Sequence, residues 1–167
     1  EPFSDRNLRA FGFDMYSEPH RREAMERAML TGEAAMTRKV TLVQETNKDV
    51  QPGFLLYLPV YKNPAETKTI EDRKRNIRGF VYNPFRAHDL MDAVLDQFND
   101  IEVEIYDQDI EKENILYASD STLFTGGELK NRESEYKIDT AISIAGTQWK
   151  LRISSGNEFG SIIERRQ

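Results

Sequence analysis

The chain has 167 residues and a formal net charge of −6, with 38% hydrophobic and 31% charged residues. That balance is globular, and the acidic surface argues against nucleic acid as a partner, because phosphate backbones call for clustered Lys and Arg. With no cysteine and only two histidines, His20 and His88, the chain has no disulfide, no thiolate nucleophile and no Cys- or His-rich metal site.

Residues 1–16 open without a start signal, and Glu1-Pro2-Phe3 reads as the middle of a longer chain. Ser17-Glu18-Pro19 then reads as a helix start, Ser as a cap and Pro in the first turn, with Ala24, Met25, Ala28 and Met29 on one face and Gly32 just past the end as a left-handed cap. Val40 to Gln44 is a predicted strand, and residues 46–52 a polar turn. Gly53 to Tyr61 is the strongest strand of the chain, apolar at nearly every position, so both its faces are expected to be covered. Residues 62–76 read as an exposed loop or a short helical excursion, and Ile77 to Tyr82 as a strand that Asn83-Pro84 breaks.

Arg86 to Phe98 carries the stripe Leu90, Met91, Val94, Leu95 and Phe98 of an amphipathic helix. The period then changes to two. Ile101, Val103 and Ile105 alternate with Glu102, Glu104 and Tyr106, as in a half-buried antiparallel strand. Ile115 to Tyr117 is a short strand and Gly126-Gly127 a turn. Residues 136–145 and 147–154 form a hairpin around Ala145-Gly146. Residues 155–167 hold Phe159, Ile162 and Ile163 at the spacing of a helix start, leading toward a second membrane span. The alternative is that these three side chains seal the bottom of the second sheet. The pattern divides near residue 99, with no internal repeat.

No nucleophile elbow, phosphate loop, dinucleotide fingerprint or zincin motif is present. The acidic stretch Asp107 to Glu113 lacks the central Gly and ligand spacing of a calcium loop and reads as a solvated turn. His20 and His88 read as ordinary helix residues. Asp14, set between Phe13 and Met15, either faces water or serves a buried polar partner; as a ligand contact it would accept hydrogen bonds from an N–H-bearing ligand.

Several strings occur together in order. Gly12 to Arg22 (GFDMYSEPHRR) is followed by Ala24-Met25, Ala28 and Thr31-Gly32. Thr41 to Glu45 (TLVQE), Gly53 to Tyr61 (GFLLYLPVY) and Arg78 to Val81 (RGFV) come next. Jointly they resemble the core of a CHASE domain, strongly over residues 12–98 and more softly over 99–167. The resemblance implies the extracytoplasmic input of a histidine kinase, nucleotide cyclase, diguanylate cyclase or phosphodiesterase. It implies a long stalk helix followed by two PAS-like modules, the membrane-distal one holding the ligand. From the plant cytokinin receptors of the family it implies a carboxylate at Asp14 bonding an adenine-type ring, a main-chain contact at Met36, and a pocket lined by the strand from Phe54 to Leu58. Tyr57 and Met36 differ from the plant residues, which points away from cytokinin itself. The stalk helix and first strands are absent from the sequence, so the chain reads as a soluble piece of a membrane-anchored protein.

The expectations are therefore an α/β fold of tandem PAS-like modules with antiparallel sheets, missing the N-terminal stalk helix, with a ligand-binding module at 1–99 and a membrane-proximal one at 100–167. The function expected is extracytoplasmic small-ligand sensing without catalysis or cofactor. Asp14, Met36, Leu42, Phe54, Leu56, Tyr57, Leu58 and Phe80 are the expected ligand contacts, for an adenine-like or other small metabolite. An enzyme would need clustered titratable groups, and the sequence offers only Asp14; the alternative is a structural or dimerisation module with no cavity. A homodimer is expected in the full-length receptor, held mainly by the stalk.

Overall fold

The computed structural model describes residues 5–45, 50–98, 100–120 and 136–156. The chain is mixed α/β with two antiparallel four-stranded sheets. It divides into two compact units, the first comprising Glu1–Arg86 with Ser143–Thr147, the second Ala87–Ile142 with Gln148–Gln167.

The first unit opens with a short helix, α1 (Asp5–Leu8), and a 3-10 turn, Met15–Ser17, before helix α2 (Pro19–Thr31). Pro19 occupies the first turn of α2, where its missing N–H costs nothing. The cap is Glu18 rather than the expected Ser17: its carboxylate accepts from the backbone N–H groups of His20 and Arg21 at 3.1 and 2.9 Å. A carboxylate reaches two orphan donors there and complements the positive end of the helix dipole. Gly32 terminates α2 in the left-handed conformation, as its position predicts. Two side chains satisfy carbonyls of the last turn, Tyr61 at Met29 (2.9 Å) and Arg73 at Leu30 (2.7 Å).

Strands β1 (Ala35–Met36) and β2 (Val40–Thr41) pair along one edge of the long strand β3 (Pro52–Tyr61). β2 is shorter than the expected Val40–Gln44. Helix α3 (Ile70–Asn76) lies in the stretch read as a loop or helical excursion. A reciprocal capping box between Thr69 and Asp72 starts it.

Strand β4 (Ile77–Arg86) pairs with the other edge of β3 and runs straight through Asn83-Pro84, with Leu55 opposite Pro84 and Leu56 opposite Asn83. The expected break is overturned because β4 is an edge strand among the described residues: a proline whose nitrogen faces away from β3 costs no ladder bond.

The second unit starts with α4 (Ala87–Leu95), shorter than the expected Arg86–Phe98. Its sheet has the order β6-β5-β8-β7, from β5 (Ile101–Asp107), β6 (Ile115–Ala118), β7 (Lys137–Ile144) and β8 (Thr147–Ser155). The hairpin turn at Ala145-Gly146 stands where expected, with φ of 46° and 77°, the positive pair that a two-residue turn requires. Val103 and Ile105 are buried as the alternation predicts, but Tyr106, expected to face out, is fully buried as well. It packs with Ile115 and Ala118 and donates its hydroxyl to Glu104. The turn at Gly126-Gly127 and the helix expected from Phe159, Ile162 and Ile163 lie outside the described residues.

Candidate functional site

Strand alternation sorts the expected contact residues onto the two faces of the first sheet. Leu55, Tyr57 and Pro59 project to the side that α2 covers, and Phe80, opposite Pro59, joins them. There Tyr57, Leu55 and Leu42 form one core with Ala24 and Ala28, and Phe80 packs against it. Gly53 makes room for this arrangement: a Cβ there would come within 2.6 Å of the Leu42 side chain.

Phe54, Leu56, Leu58 and Val60 project to the other side. Phe85 stacks on Phe54 with ring centroids 5.3 Å apart, and Met36 lies opposite Leu56. The expectation that both faces of β3 are covered fails toward its end, where Leu58 and Val60 are exposed, as is Val81 across from Leu58. Of the eight expected contacts, the structure thus brings Met36, Phe54, Leu56 and Leu58 to the face away from α2, with Met36 and Phe54 buried, Leu56 partly buried and Leu58 exposed. It places Leu42, Tyr57 and Phe80 on the helix-facing side.

Met36 has both main-chain groups occupied within the protein. Its N–H donates to the Ala145 carbonyl at 2.9 Å. Its carbonyl accepts from the Thr147 hydroxyl at 2.9 Å and from an Arg27 nitrogen at 2.5 Å. Arg27 also donates to the Thr147 hydroxyl at 3.2 Å.

Asp14 is exposed and caps the 3-10 turn: its carboxylate accepts from the Tyr16 N–H at 2.9 Å, and its carbonyl accepts from the Ser17 hydroxyl at 2.7 Å. This is a short-range structural role of the kind aspartate commonly fills before a turn.

Sequence reasoning missed Arg21, which is only 2% exposed. One of its terminal nitrogens donates to the Thr41 carbonyl at 3.1 Å, the other lies 3.0 Å from the Met15 sulfur, and Phe13 covers the guanidinium at 5.0 Å. Its Nε, 3.8 Å from the Glu18 carboxylate, and the Tyr57 hydroxyl are both buried with no hydrogen bond among the described residues. Burial pushes the Tyr57 hydroxyl up to about 12, and the nearby Arg21 charge pulls against that. The signal was present: Arg21, Ala24 and Ala28 recur at i, i+3 and i+7, the core stripe of α2.

The second unit carries a cleft of about 510 Å³ lined by α4 and strands β5 and β6. Leu95, Phe98, Val103 and Tyr117 give it apolar walls, and Asp92, Asp96, Glu102 and Asp120 supply carboxylates. None of the expected contact residues lines it. Among the described residues no helix is long and apolar enough to cross a membrane.

A family model described as CHASE domain matches residues 1–117. A comparison with curated proteins finds no match.

Proposed function

The chain belongs to the CHASE domain family, and on that premise we propose that it is the extracytoplasmic small-ligand sensing domain of a transmembrane receptor, binding without catalysis. CHASE domains are extracytoplasmic sensory modules of receptors. The observation that carries the proposal is the apolar face of β3 and β4, where buried Phe54 stacks on Phe85, partly buried Leu56 follows with Asn83 as the polar group beside it, and Leu58 and Val81 are exposed. A flat, mainly apolar surface with one amide suits a planar ring with few polar atoms, adenine-like or another small metabolite. In this reading Met36, Phe54, Leu56 and Leu58 touch the ligand. Leu42, Tyr57 and Phe80 hold the sheet from behind, and Asp14, whose neighbours Phe13 and Met15 pack on Arg21 at that same helix side, keeps its capping bond.

The same proposal takes residues 1–99 and 100–167 as tandem PAS-like modules, the first binding and the second passing the signal to a kinase or to a cyclic-dinucleotide enzyme. The receptor is membrane-anchored and dimeric. Ligand binding signals only by favouring one arrangement of the receptor over another.

A thermal-shift screen against small metabolites tests the ligand. A compound at 100 times its dissociation constant stabilises the fold by about 2.7 kcal/mol, and Leu56→Glu abolishes that shift while Val94→Glu does not. A broad library without a single stabilising compound would leave the structural, ligand-free module as the better reading.

A further inference from the structure

The guanidinium of Arg21 is buried beneath Phe13 and Met15. A cation in that position calls for strong acceptors at its N–H groups. The protein supplies few. The Thr41 carbonyl takes one terminal nitrogen at 3.1 Å. The Met15 sulfur, 3.0 Å from the other, is a weak acceptor. Nε makes no hydrogen bond among the described residues. A Glu18 oxygen stands 3.8 Å from it, but that carboxylate already accepts from the backbone N–H groups of His20 and Arg21.

The Tyr57 hydroxyl is a second buried group with no hydrogen bond among the described residues. The two belong to one region. Arg21, Ala24 and Ala28 are the buried residues of α2, and Tyr57 shares a core with Ala24 and Ala28 on the side of β3 that this helix covers. Burial raises the pKa of the hydroxyl, and the Arg21 charge is near enough to oppose that rise. Each such group costs free energy until something completes it.

We infer that Arg21 and Tyr57 form the polar end of a ligand site on the α2 side of the sheet, which takes the carbonyl oxygen of an uncharged amide-type ligand. The oxygen accepts from the Arg21 Nε–H. The Tyr57 hydroxyl is the second group, able to donate to that oxygen or to accept from the amide N–H. Charge selects against an anion. Glu18 already balances Arg21, so a ligand carboxylate would add an unmatched charge close to Glu18. The cover is light: Phe13 is 39% exposed and Met15 half-buried. Their segment is tied by short-range bonds, Phe13 to Ala10 and Ser17 to Asp14. Met15 is unbranched, with three rotatable bonds, and its side chain can leave Arg21 without moving the backbone. The site is on the opposite side of the sheet from Leu56 and does not depend on the ligand face proposed above.

Benzamide and benzoate, alike in shape and different in charge, are the probes. The readout is the Arg21 Nε–H resonance of the 15N-labelled 167-residue chain, assigned by through-bond correlation. Benzamide shifts it saturably, with a dissociation constant of about a millimolar, and benzoate does not. Tyr57→Phe, which keeps the ring in the core, weakens benzamide about three- to tenfold. Leu56→Glu leaves benzamide binding unchanged, so failure of this site and failure of the face carrying Leu56 are told apart. The inference is overturned if benzamide leaves the resonance in place up to about ten times that concentration, if benzoate binds as well, or if Y57F binds benzamide as tightly. A long-lived water on Nε–H that benzamide does not displace also overturns it, since a structural water would then complete the pair. Should Y57F fail to fold, the contrast between the two probes at Arg21 decides alone.

Discussion

Tyr57 and Leu58 are consecutive on β3 and live in opposite environments: Tyr57 is 1% exposed and Leu58 50%. Tyr57 sits in the core under α2, between Phe80 at 6.2 Å and Tyr82 at 5.6 Å, while Leu58 projects from the open face. Tyr57→Ala should cost about 3–5 kcal/mol, because it leaves a cavity that the α2 interface cannot refill. Leu58→Ala should cost less than about 1 kcal/mol. Urea unfolding of the two variants checks the contrast. Similar losses would mean that the face carrying Leu58 is covered in solution.

Tyr57 also gives a signature at high pH. A tyrosine in the unfolded chain ionises near 10, and burial raises this one to about 12. A raised pKa means that the neutral form is favoured by folding. Its contribution is complete below pH 10 and is lost as the pH climbs from 10 toward 12. Ultraviolet titration should show Tyr57 and the buried Tyr106 ionising well after the exposed phenols. In Tyr57→Phe the earlier of those two late steps should vanish, and the stability loss over pH 10–12 should become shallower.

The Asp139–Arg152 pair acts at the other end of the scale. The Arg152 guanidinium bonds the Asp139 carboxylate through both oxygens and holds its pKa below the ordinary carboxylate range. A depressed pKa contributes stability above the unfolded value of about 3.9, and that contribution is lost as the pH falls through the folded value. Asp139→Asn should therefore lower the urea midpoint at pH 7 and make progressively less difference below pH 4. Because the carboxylate is nearly half exposed, 1 M salt should also narrow the gap.

Buried charge sets a third case, at Glu45 and Arg86. Their ion pair spans 2.9 Å with Glu45 4% exposed. Glu45→Ala takes the 2.9 Å partner from a largely buried guanidinium and should cost about 3–5 kcal/mol. Replacing both residues with methionine should recover most of that loss. Chemical denaturation of the single and double variants measures the difference, and additive losses would argue against a mutually dependent pair.

At the hairpin turn, Ala145 holds a φ of 46°, a conformation that alanine adopts at a cost. Ala145→Asn, giving the Asn-Gly turn that two-residue hairpins prefer, should stabilise by about 0.5–1 kcal/mol. Gly146→Ala should destabilise, since φ there is 77° and an added Cβ would lie 2.7 Å from the Arg27 Nε. Thermal melts resolve both signs.

Local chemistry was legible in the sequence. Pro19 and Gly32 bracket α2, Ala145-Gly146 makes the hairpin turn, and the period-two run of residues 101–106 makes a strand, because each depends on backbone freedom or alternation within a few residues. The ordered strings from Gly12 to Val81 were likewise enough to place the family. What the sequence could not determine depends on neighbours far along the chain. Pro84 breaks no strand because nothing pairs beyond β4 among the described residues, which is a property of sheet order and not of Asn83-Pro84. Arg21 is buried because Phe13 and Met15 converge on it from one segment and Thr41 from another. The apolar run from Phe54 to Leu58 reads as one pocket wall in the sequence. The pleat divides it, and only the position of α2 decides which half joins the core beneath that helix and which half turns to the other face.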